Sequence, residues 1–210
     1  MDDSLKLEAK LARNAITRGA LRGDPLLALL LDVPMVERDP WVDALLGLKD
    51  APPDIPELPR GAVPYLPCGV DEILALVRDV PVRAEDHVVD VGSGLGRVAI
   101  LVHLLTGART SGVEIQAPLV LRARERCADL GLDAIAFVEG NAVDAPLDGS
   151  IFFLYAPFNG DTLRRVIERL EDVARRRSIV VCTVALELRD AGWLVPRSTS
   201  SLALTIYDSR

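Results

Sequence analysis

The chain is poor in aromatic residues, cysteine and histidine. Aromatic side chains make up 4% of its 210 residues, and it has three cysteines and two histidines. Cys68, Cys127 and Cys182 are odd in number and widely spaced, which fits neither a metal-binding pattern nor a disulfide framework. We therefore expect reduced, buried thiols in a cytoplasmic protein. Nothing near His87 or His103 suggests a metal ligand, so no metal site is predicted.

Long hydrophobic runs and positive charge are scarce as well. No stretch approaches the roughly 20 apolar residues of a membrane-spanning helix, and the run at 26–31 is far too short. The first four residues are acidic and no apolar segment follows them, unlike a signal peptide. The net charge of −7 disfavours binding to nucleic acid or to an anionic membrane.

What remains is the composition of one α/β domain with an extension, because half of the residues are hydrophobic and 26% are charged. Residues 1–50 are predicted to form two or three short helices, with Asp24 and Asp39 as helix caps before proline. This extension could serve as a lid, a substrate platform, a dimer contact or simple packing on the sheet. Residues 51–67 carry six prolines, which predict an extended connector. Residues 68–210 form the main domain.

Strands and helices alternate along the main domain. The pattern predicts strands at 86–91, 110–115, 134–138, 151–155 and 178–184. It predicts helices at 95–106, 117–130 and 161–176, and this alternation implies a parallel sheet with helices on both faces. Two further strand-like runs at 193–196 and 202–207 flank a polar turn, which indicates an antiparallel hairpin. The predicted fold is a doubly wound α/β domain whose seven-stranded, mostly parallel sheet ends in that hairpin.

The main domain is organised around a glycine-rich turn after the first strand. This turn reads Asp90-Val91-Gly92-Ser93-Gly94-Leu95-Gly96-Arg97. A dinucleotide fingerprint would place its third glycine at Arg97, and Asp90 would repel a pyrophosphate but attract an ammonium or sulfonium group. The Asp-x-Gly-x-Gly-x-Gly pattern resembles the first motif of class I S-adenosylmethionine-dependent methyltransferases, whose sheet also ends in an antiparallel hairpin. A nucleotide-dependent oxidoreductase is disfavoured by both features.

Ligands of doubly wound sheets bind outside the carboxyl ends of the strands, so Asp90, Glu114 and Asn141 are expected to converge on one shared cavity, and the assignment depends on that. The first strand offers Asp90, Gly92, Ser93 and Gly94 there. At the end of the second strand Glu114 can accept hydrogen bonds from two ribose hydroxyls.

Further candidates contact the base and the methyl group. Ile115 can press on the adenine face, while Asn141 and the backbone of Ala142 can pair with the adenine edge. The family commonly has Asp where this chain has Asn141. The resemblance also makes Tyr65 a candidate wall of the S-adenosylmethionine site, with Tyr155 at the end of the fourth strand.

The loop after the fourth strand reads Tyr155-Ala156-Pro157-Phe158-Asn159-Gly160. It partly resembles the Asp/Asn/Ser-Pro-Pro-aromatic signature of methyltransferases that act on amino groups, but Ala156 occupies the decisive position and only one proline is present. Residues 88–115 are also similar to the non-SET histone lysine methyltransferases. Tyr155, Phe158 and Asn159 are expected to line the acceptor pocket, and Tyr155, Asn159 and Tyr65 are the candidates for catalysis.

The predicted function is methyl transfer to a small molecule or a protein side chain. The alternative is a non-catalytic protein that binds S-adenosylmethionine or S-adenosylhomocysteine. The sequence leaves the acceptor, the oligomeric state and turnover open. Arg97 is expected at the surface, with pairing to a nearby acid or to an anion as the alternatives. The arginine-rich helix at 161–176 is read as a solvated face with ion pairs, although it could dock an acidic substrate.

Overall fold

The computed structural model describes residues 1–48 and 50–210. Its strands form one seven-stranded sheet in the order β3-β2-β1-β4-β5-β7-β6. They are β1 (His87–Val91), β2 (Arg109–Glu114), β3 (Ile135–Glu139), β4 (Ile151–Tyr155), β5 (Val180–Val184), β6 (Leu194–Arg197) and β7 (Leu204–Ser209). Strands β1 to β5 are parallel, whereas β7 runs antiparallel to both β5 and β6. The predicted sheet and its terminal hairpin are therefore confirmed.

Helices cover both faces of this sheet. They are α1 (Asp3–Thr17), α2 (Gly23–Asp32), α3 (Arg38–Leu46), α4 (Val70–Asp79), α5 (Arg97–Thr106), α6 (Ala117–Leu130) and α7 (Gly160–Ala174). Helix α5 begins two residues later than predicted because Gly94 and Gly96 have positive φ angles, which an α-helix does not allow. The predicted caps are wrong, since Asp24 and Asp39 lie inside the first turns of α2 and α3.

The N-terminal helices pack on one face of the main domain. Ile16, Leu30 and Trp41 are fully buried and share one apolar cluster with Ile100 and Leu101 of α5. On the other face a second cluster joins the sheet to α7. Within the described part of the chain, no helix is both long enough and apolar enough to cross a lipid bilayer.

The proline-rich connector, residues 51–67, crosses the carboxyl edge of the sheet as extended chain, and we call it the strap. Ala62 forms an isolated antiparallel bridge with Phe158, in the loop after β4. At the other end, Gln116 just after β2 holds the strap through Asp54 and Ile55. The strap therefore spans the edge where the predicted site residues lie.

Candidate active site

A cavity of about 190 Å³ lies between the strap and the carboxyl ends of the strands. Seven of the predicted site residues line it, and they come from the strap, β2, β4 and the loops after β1, β2 and β3. They are Tyr65, Gly92, Glu114, Ile115, Asn141, Ala142 and Tyr155. The fold thus brings together residues that are up to 90 positions apart in the sequence.

Glu114 connects two of these elements. Its carboxylate is 8% exposed; Oε2 accepts a hydrogen bond from the backbone N–H of Gly94 at 2.8 Å, and Oε1 accepts one from the N–H of Gln116 at 2.9 Å. A carboxylate offers about four lone-pair positions. Glu114 therefore retains capacity for ligand hydroxyls while it holds the glycine turn against β2.

Gln116 is a residue that sequence reasoning missed. It is buried, its Nε2 donates to Asp54 Oδ1 at 2.7 Å, and its Oε1 accepts from the N–H of Ile55 at 2.9 Å. Asp54 Oδ1 also accepts from the N–H of Tyr65 at 2.9 Å. The only available signal was a polar side chain two positions after Glu114, at a place where the next helix begins.

Asp90 lies in a second cavity of about 20 Å³, which Tyr65, Gly92 and Tyr155 also line. We expected Asp90, Glu114 and Asn141 to share one cavity, and the structure instead divides the space in two. Asp90 is 2% exposed, and its Oδ2 has no hydrogen-bond partner among the described residues. Burial, with a smaller contribution from the Glu114 charge, raises the pKa of Asp90 to about 8.

Ser93 lines the same small cavity, and its Oγ is also buried without a partner in the described chain. Two unpaired polar atoms therefore flank the glycine turn. Since an unpaired buried polar group costs free energy comparable to a lost hydrogen bond, this pair fits a ligand that supplies complementary polar groups.

Tyr65 rests directly on the glycine turn. A Cβ added to Gly94 would lie 2.3 Å from Cε2 of the Tyr65 ring, and Gly94 has a φ of +52°. Burial raises the pKa of the Tyr65 hydroxyl to about 12. Only glycine at position 94 allows the Tyr65 ring to approach the turn so closely. From this position Tyr65 borders both cavities.

Asn141 and Ala142 line the larger cavity after β3. Asn141 Oδ1 accepts a hydrogen bond from the N–H of Val143 at 3.0 Å, which leaves one lone pair and the amide NH₂ for a ligand. The carbonyl of Ala142 accepts from Arg169 of α7 at 2.8 Å. Both residues thus have fixed positions at the cavity wall.

Asn159 lies differently from the expectation that it borders the acceptor. It is exposed at the start of α7 and is not among the residues that line the cavity, while its N–H donates to the carbonyl of Gly61 at 2.9 Å. Phe158, which was predicted together with Asn159, does line the cavity, and so does Thr162. Asn159 lies against the strap at Gly61, a long-range contact that the sequence of the loop does not show.

Arg97 is not at the surface, so that expectation was wrong. It is 5% exposed and donates to Asp39 Oδ1 at 2.8 Å, to the carbonyl of Cys68 at 2.7 Å and to Asp43. The two aspartates belong to α3. Arg97 therefore ties the N-terminal helices to the first turn of α5.

The arginines of α7 are largely engaged within the protein. Arg164 pairs with Asp161 and Glu168, and Arg175, directly after the helix, pairs with Glu171 and Asp172. These pairs favour the solvated, ion-paired face over a docking face for an acidic substrate.

The ends of β4 and β5 have unusual backbone conformations. Ala156 and Ala185 have positive φ angles of 37° and 53°, although neither is glycine, and both line the larger cavity. Such strain often lies at functional sites. Burial also raises the pKa of Tyr155 beside them, so its hydroxyl holds its proton at neutral pH.

Comparison with known proteins gave no matching family model. Among curated proteins, the ribosomal RNA small subunit methyltransferase A of Bifidobacterium longum (strain NCC 2705) is 34% identical over 113 residues, which cover 47% of this chain and 36% of the relative. Its counterpart from Bifidobacterium adolescentis is 40% identical over 60 residues, 29% of this chain and 20% of that protein. The matched part of this chain therefore spans between a fifth and little more than a third of these relatives.

Solved structures match over a larger share. An RNA methyltransferase from Salinibacter ruber, in complex with S-adenosyl-L-homocysteine, has a TM-score of 0.55 at 23% identity and covers 69% of this chain and 92% of its own. The mitomycin 7-O-methyltransferase MmcR has a TM-score of 0.54 at 13% identity, and the match covers 88% of this chain and 60% of MmcR. The strand order and these neighbours define a class I S-adenosylmethionine-dependent methyltransferase fold.

Proposed function

We propose that this protein binds S-adenosylmethionine and transfers its methyl group to an acceptor. The observation that carries the proposal is the buried Asp90 carboxyl at the glycine turn, whose Oδ2 has no partner among the described residues. An α-ammonium group supplies the hydrogen-bond donors and the positive charge that such a carboxyl lacks. A nucleotide pyrophosphate would bring negative charge to the same position.

The other predicted residues fit the rest of this ligand. Glu114 would accept the ribose hydroxyls, and Ile115 would pack on the adenine. Asn141 and the backbone of Ala142 would pair with the adenine edge. Gly92, Ser93 and Gly94 would let the backbone approach the methionine part, where the free Ser93 hydroxyl could meet the carboxylate.

S-Adenosylmethionine brings an activated methyl group, so the protein mainly has to hold the reactants in line and exclude water. Tyr155 and Tyr65 border the space where donor and acceptor would meet. Their pKa values are raised, so both act as walls and hydrogen-bond donors rather than bases. Asn159 is no longer part of this proposal.

The alternative is a protein that binds the same ligand without turnover. It draws support from the loop after β4, where Ala156 replaces the polar residue of the amino-methyltransferase signature. The helices of residues 1–50 would then serve as packing or as a scaffold, and their shared core with α5 agrees with packing in either case.

The acceptor remains a separate question. The curated relatives are named for ribosomal RNA, whereas the net charge of −7 opposes binding to RNA phosphates. We therefore propose a small molecule or a protein side chain as acceptor. The three free, buried cysteines support a location in a reducing compartment such as the cytoplasm.

Calorimetric titration with S-adenosylmethionine, S-adenosylhomocysteine and NAD tests the binding step. We expect the first two to bind and NAD not to bind. Asp90→Asn should weaken the binding of S-adenosylmethionine by at least about 10-fold, because a charge-assisted hydrogen bond is lost. The control Asp133→Asn, at an exposed turn, should leave the affinity unchanged. Preferred binding of NAD would overturn the proposal.

Formation of S-adenosylhomocysteine in the presence of cell extract then separates the enzyme from the binder. An increase that depends on both extract and protein supports transfer. Tight binding with no such increase favours the non-catalytic alternative.

A further inference from the structure

The charge around the larger cavity is unusual for a site that would process a cationic ligand. Arg60, on the strap, is the only lysine, arginine or histidine among the described residues that line it, and no described acid forms an ion pair with Arg60. Glu114 is the only acid in that lining, and both of its oxygens already accept backbone hydrogen bonds. The strap side of the cavity is therefore left with one unneutralised positive charge.

The backbone of Arg60 is held in place by the loop after β4. The adjacent Gly61 has a φ of +90°, and a Cβ there would lie 3.0 Å from the carbonyl oxygen of Asn159. The carbonyl of Gly61 accepts from the N–H of Asn159 at 2.9 Å, and Ala62 bridges to Phe158. Arg60 is thus anchored opposite the loop where the acceptor would lie, although its side chain reaches solvent.

The wall between Arg60 and the strand ends is apolar. It consists mainly of Val63, Pro64, Leu66, Pro157 and Phe158. An apolar wall next to one cation suits a ligand with an apolar body and a negative charge, because each part then meets a matching environment.

The cavity also lacks a group that could accept a proton. Its described lining contains no histidine, lysine or cysteine, and Tyr65 and Tyr155 keep their protons at neutral pH. Glu114 accepts two backbone hydrogen bonds, and its remaining lone pairs are taken by the ribose hydroxyls in the proposed complex. An amine that accepts a methyl group must afterwards lose a proton, and an alcohol must lose one during the reaction. An anion has no proton to lose.

We propose that the acceptor enters this cavity as an anion, a thiolate, phenolate or carboxylate attached to an apolar group, and that Arg60 recognises its charge. The proposal rests on the proposed methyl transfer and names its acceptor class. The anionic sulfur or oxygen forms a bond to the methyl carbon, and the bond from that carbon to the sulfonium sulfur breaks. The electron pair stays on that sulfur, so one positive and one negative charge disappear together.

Loss of charge is favoured beside an apolar wall, because the separated ions are poorly solvated there and the neutral products are not penalised. A neutral amine would instead yield an ammonium ion in the same space. The apolar wall therefore favours an anion on energetic grounds as well as by the missing base.

The test compares thiophenol, benzoate and aniline as probes, at mildly alkaline pH where thiophenol is ionised and aniline is neutral. Full-length protein is incubated with S-adenosylmethionine and each probe, and S-adenosylhomocysteine is quantified after subtraction of the protein-free reaction. We expect thiophenolate to exceed aniline by at least 10-fold. Arg60→Gln should lower the thiophenolate rate by about 10-fold, whereas Arg165→Gln, on the exposed part of α7, should not.

A second measurement does not depend on turnover. Phenylglyoxal modifies accessible arginines, and peptide mass spectrometry reports the rate at Arg60 in the S-adenosylhomocysteine complex. Benzoate should slow this rate several-fold and neutral benzamide should not, with Arg165 as the internal reference.

Transfer to aniline at an equal or higher rate would overturn the proposal, and so would methylation of an RNA oligonucleotide at an amino nitrogen. Absence of any anion-dependent S-adenosylhomocysteine formation would overturn it too, whatever the labelling shows. If calorimetry detects no S-adenosylmethionine binding, the proposed function itself has failed. If binding is intact and the acceptor is an amine, only the anionic acceptor is wrong.

Discussion

The backbone N–H of Gly94 donates a hydrogen bond to Oε2 of Glu114 over 2.8 Å. This contact joins the glycine turn after β1 to the end of β2, and Oε1 of the same carboxylate orients the N–H of Gln116 at the start of the next segment. One side chain therefore fixes the relative position of three pieces of backbone at the cavity. The glycine turn and, through Gln116, the strap are held by it.

Glu114→Gln should weaken S-adenosylmethionine binding by about 10-fold or more. A glutamine can accept from only one of the two N–H groups, and its NH₂ would face the other, so one backbone donor loses its partner. Calorimetry measures the change, and Glu85→Gln at an exposed loop is the control. Unchanged affinity in Glu114→Gln would show that this carboxylate does not bind the ligand.

Gly94→Ala should abolish ligand binding and destabilise the fold more than Gly107→Ala. Both glycines have positive φ angles, +52° and +73°, but a Cβ at 94 meets the Tyr65 ring at 2.3 Å, whereas none of the described atoms lies within 4 Å of one at 107. Gly107→Ala therefore reports backbone strain alone, about 1 kcal/mol. Urea unfolding gives both values.

The double variant Gly94→Ala with Tyr65→Ala isolates the steric part. Once the Tyr65 ring is removed, Gly94→Ala should lower the free energy of unfolding by less than it does in the original chain. If the two changes are simply additive, the ring does not press on the turn.

Asp90→Asn should stabilise the unliganded protein increasingly as pH rises from about 5 to about 8. The pKa of Asp90 is raised to about 8 from 3.8, so in this range the folded protein holds a proton that the unfolded chain has released. The free energy of unfolding of the original chain then falls with pH, by at most about 1.4 kcal/mol per unit from this group. Asparagine does not titrate, so the variant lacks this fall in the free energy of unfolding with rising pH.

Thermal or urea unfolding at several pH values provides the comparison, with Asp133→Asn as control. The gap between Asp90→Asn and the original chain should widen toward alkaline pH. Parallel pH curves for the two proteins would mean that Asp90 titrates normally.

Gln116→Leu should release the strap without loss of the fold. The change removes the hydrogen bonds to Asp54 and Ile55, and each is worth about 1 kcal/mol. Trypsin cleavage after Arg60, in the middle of the strap, should become about 10-fold faster. Asn14→Leu, on the exposed side of α1, is the control and should not alter the cleavage rate. If Gln116→Leu is cleaved at the same rate as the original chain, the strap is held by other contacts.

Arg97→Leu should lower the free energy of unfolding by about 2 kcal/mol. The guanidinium is buried, but Asp39 and Asp43 remain partly exposed, so water can take over part of their solvation and the cost stays below that of a fully buried pair. Urea unfolding measures it against Arg165→Leu. A change below about 0.5 kcal/mol would mean that the N-terminal helices do not depend on this contact.

The fold could be predicted because its signals are local. Apolar runs such as 151–155 and 178–184 mark buried strands, and glycines mark the turns that follow or precede helices. The strands observed at Ile151–Tyr155 and Val180–Val184 differ from those predictions by two residues at most. The terminal hairpin followed from two strand-like runs with too little chain between them for a helix.

The site could be predicted only where a strand end identifies it. Glu114 is the last residue of β2 and Asn141 lies two residues after β3, so the topology alone puts them at the cavity. Arg97 was misjudged because its partners Asp39 and Asp43 lie more than 50 residues earlier, and no local pattern links them. Gln116 was missed for the same reason, since its role depends on Asp54.

The strap carries one further consequence. Its clamp at Asp54 and its ring at Tyr65 contact Gln116 and the glycine turn, on the proposed donor side. Residues 59–63 between them lie against the loop after β4, on the proposed acceptor side. Contact with the donor side and contact with the acceptor side are therefore made by different stretches of the strap. Exchange of residues 59–63 could retarget the chemistry to a new nucleophile while the affinity for the methyl donor stays as it was, which makes this pentapeptide a natural place for substrate diversification and for engineering.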